Sequence, residues 1–200
     1  MHAERTRLAD LLEGLTPEQW AERTLCPRWS VEDVTAHLTA IARTGTAAWL
    51  WSMARARFDG DAHNARLLRK YSGRGHGETL ETYRRSIPLT ISPTRDLAAI
   101  LGEAVVHGQD IARALGLELT PEPDAVVEVA RFFAAKDFAV KSKTLINGLR
   151  LEATDAAFTA GSGPVVQGAA LDLAMTMAGR REAARALSGD GVGELRRRLG

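Results

Sequence analysis

The chain of 200 residues holds one cysteine, Cys26, which excludes an intrachain disulfide and a thiolate-rich metal site. Neither sign of charge is in excess. The 26 Lys and Arg stand against 25 Asp and Glu, a formal net charge of +1, so bulk electrostatics makes no case for nucleic-acid or membrane binding. No run approaches the roughly 20 apolar residues of a membrane span. The first residues, MHAERTRLADLLEGL, are charged and amphipathic and lack the apolar core of a secretion signal. The expected location is therefore the cytoplasm. Lysine is scarce, 4 residues against 22 arginines, a bias that reads with the many alanines as the codon usage of a GC-rich genome. Internal repeats and low-complexity tracts are missing as well.

What is present is ordinary for a globular protein, with 45% hydrophobic and 26% charged residues. Its length suffices for one substantial core, or one domain with a small appendage. Leu8, Leu11, Leu12 and Leu15 form a helical stripe, and Thr16-Pro17-Glu18-Gln19 reads as a capped helix start. Ser30 caps the next helix, whose buried face is expected at Val31, Val34, Leu38, Ile41, Gly45 and Trp49. DAHNARLLRKY and ETLETYRRSI read as helical pieces on either side of a flexible GRGHG. A second strong helix is expected to open at Ser92-Pro93 or Thr94. It would bury Leu97, Ile100, Leu101, Ala104, Gly108, Ile111 and Leu115 and stop at a left-handed Gly116. TPEPDAVVEVARFF restarts a helix after a proline-rich link. Past Asn147-Gly148, LRLEATDAAF and PVVQG alternate like strands around GSG and lead into short helices. The fold class is mainly α: a helical bundle over residues 1–145, then a small α+β domain over 146–200.

Glu103 and His107 stand four apart in LGEAVVHGQDIARALG, so both side chains reach one side of the helix. They flank its apolar stripe, and His37 flanks the stripe of its own helix beside Val34 and Ile41. Two imidazoles and a carboxylate are a ligand set for a divalent metal such as zinc, with one coordination position left open. The same spacing also arises as a solvated i,i+4 pair, and a histidine beside an apolar stripe is often a hydrogen-bonded core residue. Asp110, one turn after His107, is placed to orient a ligand or to pair with Arg113. His63 and His76 fall in the irregular middle segment and are expected in solvent. His2 is terminal, Cys26 is expected to pack as a small apolar residue, and the four tryptophans to fill core and rim.

Three stretches resemble one family in order: ERTRLADLLEGLTPEQWAERTLCPRWSVEDVTAHL, LGEAVVHGQDIARALG, and LRLEATDAAFTAGSGPVVQGAALDLAMTMAGR. They are similar to the mycothiol-dependent maleylpyruvate isomerases of the DinB/YfiT-like superfamily. The resemblance implies a metal-binding DinB-like four-helix bundle followed by a small α/β domain. It implies His37, Glu103 and His107 as metal ligands, zinc as the ion, and mycothiol, an actinobacterial thiol, as cofactor. The chain departs from the family at Arg28, where Gly is usual, in a short span between His37 and Glu103, and in a trimmed C-terminal part.

A metal-bound thiol loses its proton readily, and the thiolate adds to an electrophilic carbon. Adduct formation and expulsion isomerise a double bond, whereas a retained adduct makes the protein a thiol S-transferase. The resemblance implies a small-molecule electrophile bearing carboxylates, for which Arg66 and Arg180 are the candidate binding positions. The alternative is a non-catalytic DinB-like metal- or ligand-binding module, and a third reading is an inert helical scaffold. The sequence leaves the oligomeric state open, a homodimer included.

Overall fold

The structure, a computed structural model describing residues 1–94 and 96–200, has two compact units, Met1–Thr120 and Pro121–Gly200. The first contains α1 (His2–Glu13), α2 (Pro17–Ala21), α3 (Val31–Arg43), α4 (Thr46–Arg55), α5 (Gly60–Tyr71), α6 (His76–Arg84) and α7 (Leu97–Ala114). α1 packs on α6 and α7, and α3 packs on the same two, which closes the expected four-helix bundle. Leu8, Leu12, Val31, Val34, Leu38, Tyr83 and Ile111 meet in its core, with Trp20 against them. α5 lies outside this ring, packed on α3 and α4.

Local signals set several boundaries as the sequence predicts. Thr16 and Gln19 form a reciprocal capping box at α2, and Ser30 and Asp33 another at α3. Gly116 takes φ +65° just past α7.

Other boundaries differ. The apolar stripe of α3 does not run on to Trp49, because the chain turns extended at Thr44 and Gly45 caps a separate α4. Thr and Gly are poor helix formers, and here they end the helix although the apolar spacing continues. None of the residues of α4 is buried. α7 starts later than Ser92-Pro93 or Thr94: Asp96 is the cap, its carboxylate accepting the amides of Ala98 and Ala99. Leu97, expected on the buried face, is exposed.

A buried cation ties α1 to the segment after α6. Arg5 is 4% exposed, and its Nη1 donates to the carbonyls of Ser86, Ile87 and Leu89 at 3.3, 3.4 and 2.9 Å. The Tyr83 hydroxyl in turn donates to the Arg5 carbonyl at 3.3 Å. Burial pushes the Tyr83 phenol well above its ordinary range, so it stays a donor.

The second unit holds α8 (Pro123–Ala135), α9 (Ser142–Leu145), β1 (Arg150–Ala153), β2 (Thr159–Gly161), β3 (Val165–Gly168), α10 (Ala170–Met177), a 3-10 turn (Ala183–Ala186) and α11 (Val192–Leu199). β1 is central, antiparallel to β2 with Leu151 opposite Ala160, and parallel to β3 with Leu151 opposite Val166. α10 packs on α8 and on β1 and β3. Gly161 has φ +75°, and a Cβ there would stand 2.2 Å from the Leu149 carbonyl oxygen. The change of pattern read from the sequence lies near residue 145, while the compact units part between Thr120 and Pro121. Among the described residues no helix is long and apolar enough to cross a membrane.

Replacing Arg5 with Met would leave three inward carbonyls without their donor, at an expected cost of about 2–4 kcal/mol. Urea unfolding measures it. A change too small to resolve would mean that those carbonyls find other donors.

Candidate metal centre

α3 and α7 pack side by side and bring His37 to the Glu103–His107 face. Glu103 Oε2 lies 3.2 Å from His107 Nε2 and 3.5 Å from His37 Nε2. The imidazoles meet edge-on with centroids 5.2 Å apart. All three ligand atoms fall within 4.8 Å of one another. Ligands about 2.0–2.1 Å from a tetrahedral zinc stand about 3.3 Å apart, so the present spacing fits such an ion with little movement. Both nitrogens offered are Nε2, a consistent pairing with one carboxylate oxygen.

The remaining nitrogen of His107 is fixed. Nδ1 lies 2.9 Å from Oδ2 of Asp110, a residue with no exposed surface. A carboxylate there keeps the proton on Nδ1 and aims Nε2 at the centre. The Asp110 carbonyl accepts the amide of Leu25 at 3.2 Å, which ties the loop before α3 to α7. That loop is a tight reversal. The Thr24 amide donates to the Trp29 carbonyl at 3.0 Å, and the Trp29 amide to the Cys26 carbonyl at 3.2 Å. It sets the Trp29 ring 4.6 Å from His37 and 6.1 Å from His107 between centroids. Arg28 reaches this turn with φ +71°, the left-handed conformation that Gly adopts at least cost. Its guanidinium bonds Asp61 of α5 at 2.9 Å, both groups exposed.

The three side chains share charge. Burial opposes ionisation of Glu103, but hydrogen bonds from His107 and His37 and their charges hold it well below the usual carboxylate range. Burial likewise opposes protonation of His107, yet Asp110 and Glu103 outweigh it and push its pKa up to about 9. His37 is lowered by burial, pulled up by its bond to Glu103 and pushed down by His107. At neutral pH the cluster is therefore a carboxylate, one imidazolium and one neutral imidazole.

Cys26, His107 and Asp110 form a second group of potential ligand atoms within 4.8 Å. His107 Nδ1 is already engaged by Asp110, and Cys26 packs against the edge of the core. His63 is not in solvent as the sequence suggests. It is 4% exposed on α5, its Nδ1 2.9 Å from Ser52 Oγ and its ring 5.9 Å from that of Trp49. The helix face that carries Arg66 and Leu67 at i+3 and i+4 was the available signal, hidden by the polar neighbours of the segment. His76 is exposed and stacks on Trp20. Arg66 donates to the carbonyl and hydroxyl of Ser52 in the first unit. Arg180 belongs to the second unit, where it donates to the Ala178 carbonyl at 2.6 Å. The role of Trp29 over both imidazoles had no sequence signal beyond its place before the Ser30 cap.

Residues 1–91 match the family described as Mycothiol maleylpyruvate isomerase N-terminal domain. No curated protein sequence matches the chain. Two solved structures share its fold: the mycothiol-dependent maleylpyruvate isomerase, at TM-score 0.67, and a histidine-to-alanine mutant of it, at 0.66. Each is 13% identical, over 94% of this chain and 89% of that one. The family likeness read from the sequence is borne out over residues 1–91, and the mainly helical fold is that of the two solved structures.

Two outcomes are expected. Because His107 binds its proton up to about pH 9 in the metal-free protein, zinc uptake at pH 7.5 should release roughly one proton. Calorimetry in buffers of different ionisation enthalpy counts it, and zero release would contradict the charge state described. Arg28→Gly should raise unfolding stability by about 1 kcal/mol by relieving the left-handed backbone; a loss would mean the Asp61 contact outweighs that strain.

Proposed function

We propose that this chain, whose residues 1–91 match the mycothiol maleylpyruvate isomerase N-terminal domain, is a metal-dependent enzyme that uses mycothiol on an electrophilic small molecule. The reaction is isomerisation or S-transfer, and the setting is the cytoplasm of a mycothiol-producing cell. The observation that carries this reading is the convergence of His37 Nε2, Glu103 Oε2 and His107 Nε2 at separations suited to one tetrahedral ion. These three residues would hold a divalent cation, zinc by the chemistry of the donor set. When bound, such an ion acts as a Lewis acid that favours a thiolate over a thiol at neutral pH.

The protein's own residues do the rest. Asp110 keeps the Nδ1 proton of His107 and thereby orients its Nε2. Trp29 covers one side of both imidazoles and limits the approach of water from there. Held on two helices of a closed bundle, the ligands need little reorganisation before binding. A set of two histidines and one carboxylate leaves a coordination position unfilled by protein, as a catalytic site requires.

His107→Ala should remove both stoichiometric zinc and mycothiol-dependent turnover, measured by elemental analysis and by consumption of a maleyl keto acid. Asp110→Asn should keep the fold but weaken zinc affinity by about 10–100-fold. If wild-type protein with full zinc bound neither mycothiol nor turned over such a substrate, the non-catalytic module would be the correct reading. Retention of zinc by His107→Ala would overturn the ligand assignment.

A further inference from the structure

α4 is inverted relative to a helix built for water. Its side toward α5 carries Trp49 and Ser52, with the Trp49 ring 5.9 Å from that of His63 and Ser52 Oγ 2.9 Å from His63 Nδ1. Ala47, Leu50, Trp51 and Ala54 follow at i, i+3, i+4 and i+7 on the opposite side, and all four are exposed. Trp51 is 68% exposed and Leu50 53%. The stripe extends at both ends. At its start Ile91, itself exposed, lies beside Gly45, where an added Cβ would stand 3.6 Å from Ile91 Cγ2. At its finish Phe58 is 74% exposed.

Phe58 is presented on strained backbone. Arg57 and Phe58 take φ of +53° and +63°, two consecutive left-handed residues of which neither is Gly. The Phe58 amide donates to the Met53 carbonyl at 2.9 Å, which closes the helix end. The charges around this face have one sign. From Val34 to Phe58 the sequence has no Asp or Glu, but it has Arg43, Arg55 and Arg57, all exposed. Arg55 stands one turn after Trp51 on the same helix. The acids just beyond are engaged. Asp59 accepts the Ala62 amide as the cap of α5, and Asp61 pairs with Arg28.

We propose that the outer face of α4, with Ile91 and Phe58 at its ends, docks on an anionic lipid bilayer. Leu50, Trp51 and Phe58 enter the headgroup region, where an amphipathic helix lies flat, and the arginines meet lipid phosphates. Tryptophan suits that boundary because its ring is apolar and its N–H is polar. The net charge of +1 gives no long-range pull toward a membrane. The attraction therefore acts within a Debye length, through the local arginines. A second copy of the chain fits the face less well. An isologous pair would set the same arginines of both copies together, with no carboxylate from Val34–Phe58 to answer them. The docking face uses no residue of the candidate metal centre.

Full-length protein would be floated with vesicles of pure phosphatidylcholine, and with vesicles of phosphatidylcholine and phosphatidylglycerol in equal parts. Wild type should bind the anionic vesicles about tenfold or more tightly than the neutral ones, and high salt should weaken this binding. Trp51→Ala should weaken it roughly tenfold, the loss of one large apolar side chain from the boundary. Arg55→Ala and Arg57→Ala should each weaken it about fivefold. Phe138→Ala, which removes an exposed ring from the second unit, should bind as wild type does. Circular dichroism should show every variant folded, because none of the altered side chains is buried. No binding of wild type to anionic vesicles overturns the proposal, as does undiminished binding of Trp51→Ala. Equal binding to both vesicles overturns the assignment of an anionic surface. Sedimentation gives the remaining outcome: a dimer dispersed by Leu50→Asp, without vesicle binding, assigns the face to a second copy and also overturns the proposal.

Discussion

Asp110 is the constraint on which the first unit's chemistry depends. Its carboxylate is fully buried and holds His107 Nδ1, and its carbonyl holds the amide of Leu25. One residue therefore sets the direction of the His107 ring on α7 and anchors the turn that leads into α3. A buried carboxylate is tolerable only when its charge is matched, and His107 supplies that match. The histidine–carboxylate cluster and the fold are thus coupled through a single side chain and its backbone.

The bundle divides labour between its faces. α1, α3, α6 and α7 close an apolar ring around Leu8, Leu12, Val34 and Ile111, and Arg5 fastens its far side by capping three carbonyls. Polar groups that need water or a ligand are confined to the flank where α3 meets α7 and to α5 outside the ring. Burial there costs free energy unless each donor and acceptor is met. Glu103, His37 and His107 meet one another, and His63 and Arg66 both meet Ser52.

The likeness to solved isomerases extends over nearly the whole chain at 13% identity, a level at which the path of the backbone is shared and side chains need not be. Chemistry in such a case follows from the side chains of this protein, not from the fold. Arg28 illustrates the point. Its backbone takes a left-handed turn that Gly adopts at least cost, and an arginine adopts it here while bonding Asp61.

Much of the local structure was legible from sequence. The capping boxes at Thr16 and Ser30, the glycine stop at Gly116 and the i,i+4 relation of Glu103 and His107 depend on residues within one turn. Signals of that range are complete in the sequence. The break between α3 and α4 was not legible, because apolar spacing continued across Thr44-Gly45 while the weak helix formers there ended the helix. His63 was misread for a related reason: its neighbours in sequence are polar, and its burial comes from α3 and α4. By itself, then, the sequence determined most of the helices, the caps at Thr16 and Ser30 and that Glu103 and His107 share a helix face. Only the tertiary structure decided that His37 comes beside Glu103 and His107, that Trp29 lies against both imidazoles and that His63 is buried against Ser52. Those facts depend on which helix faces pack together, and residue spacing along one chain carries no record of that.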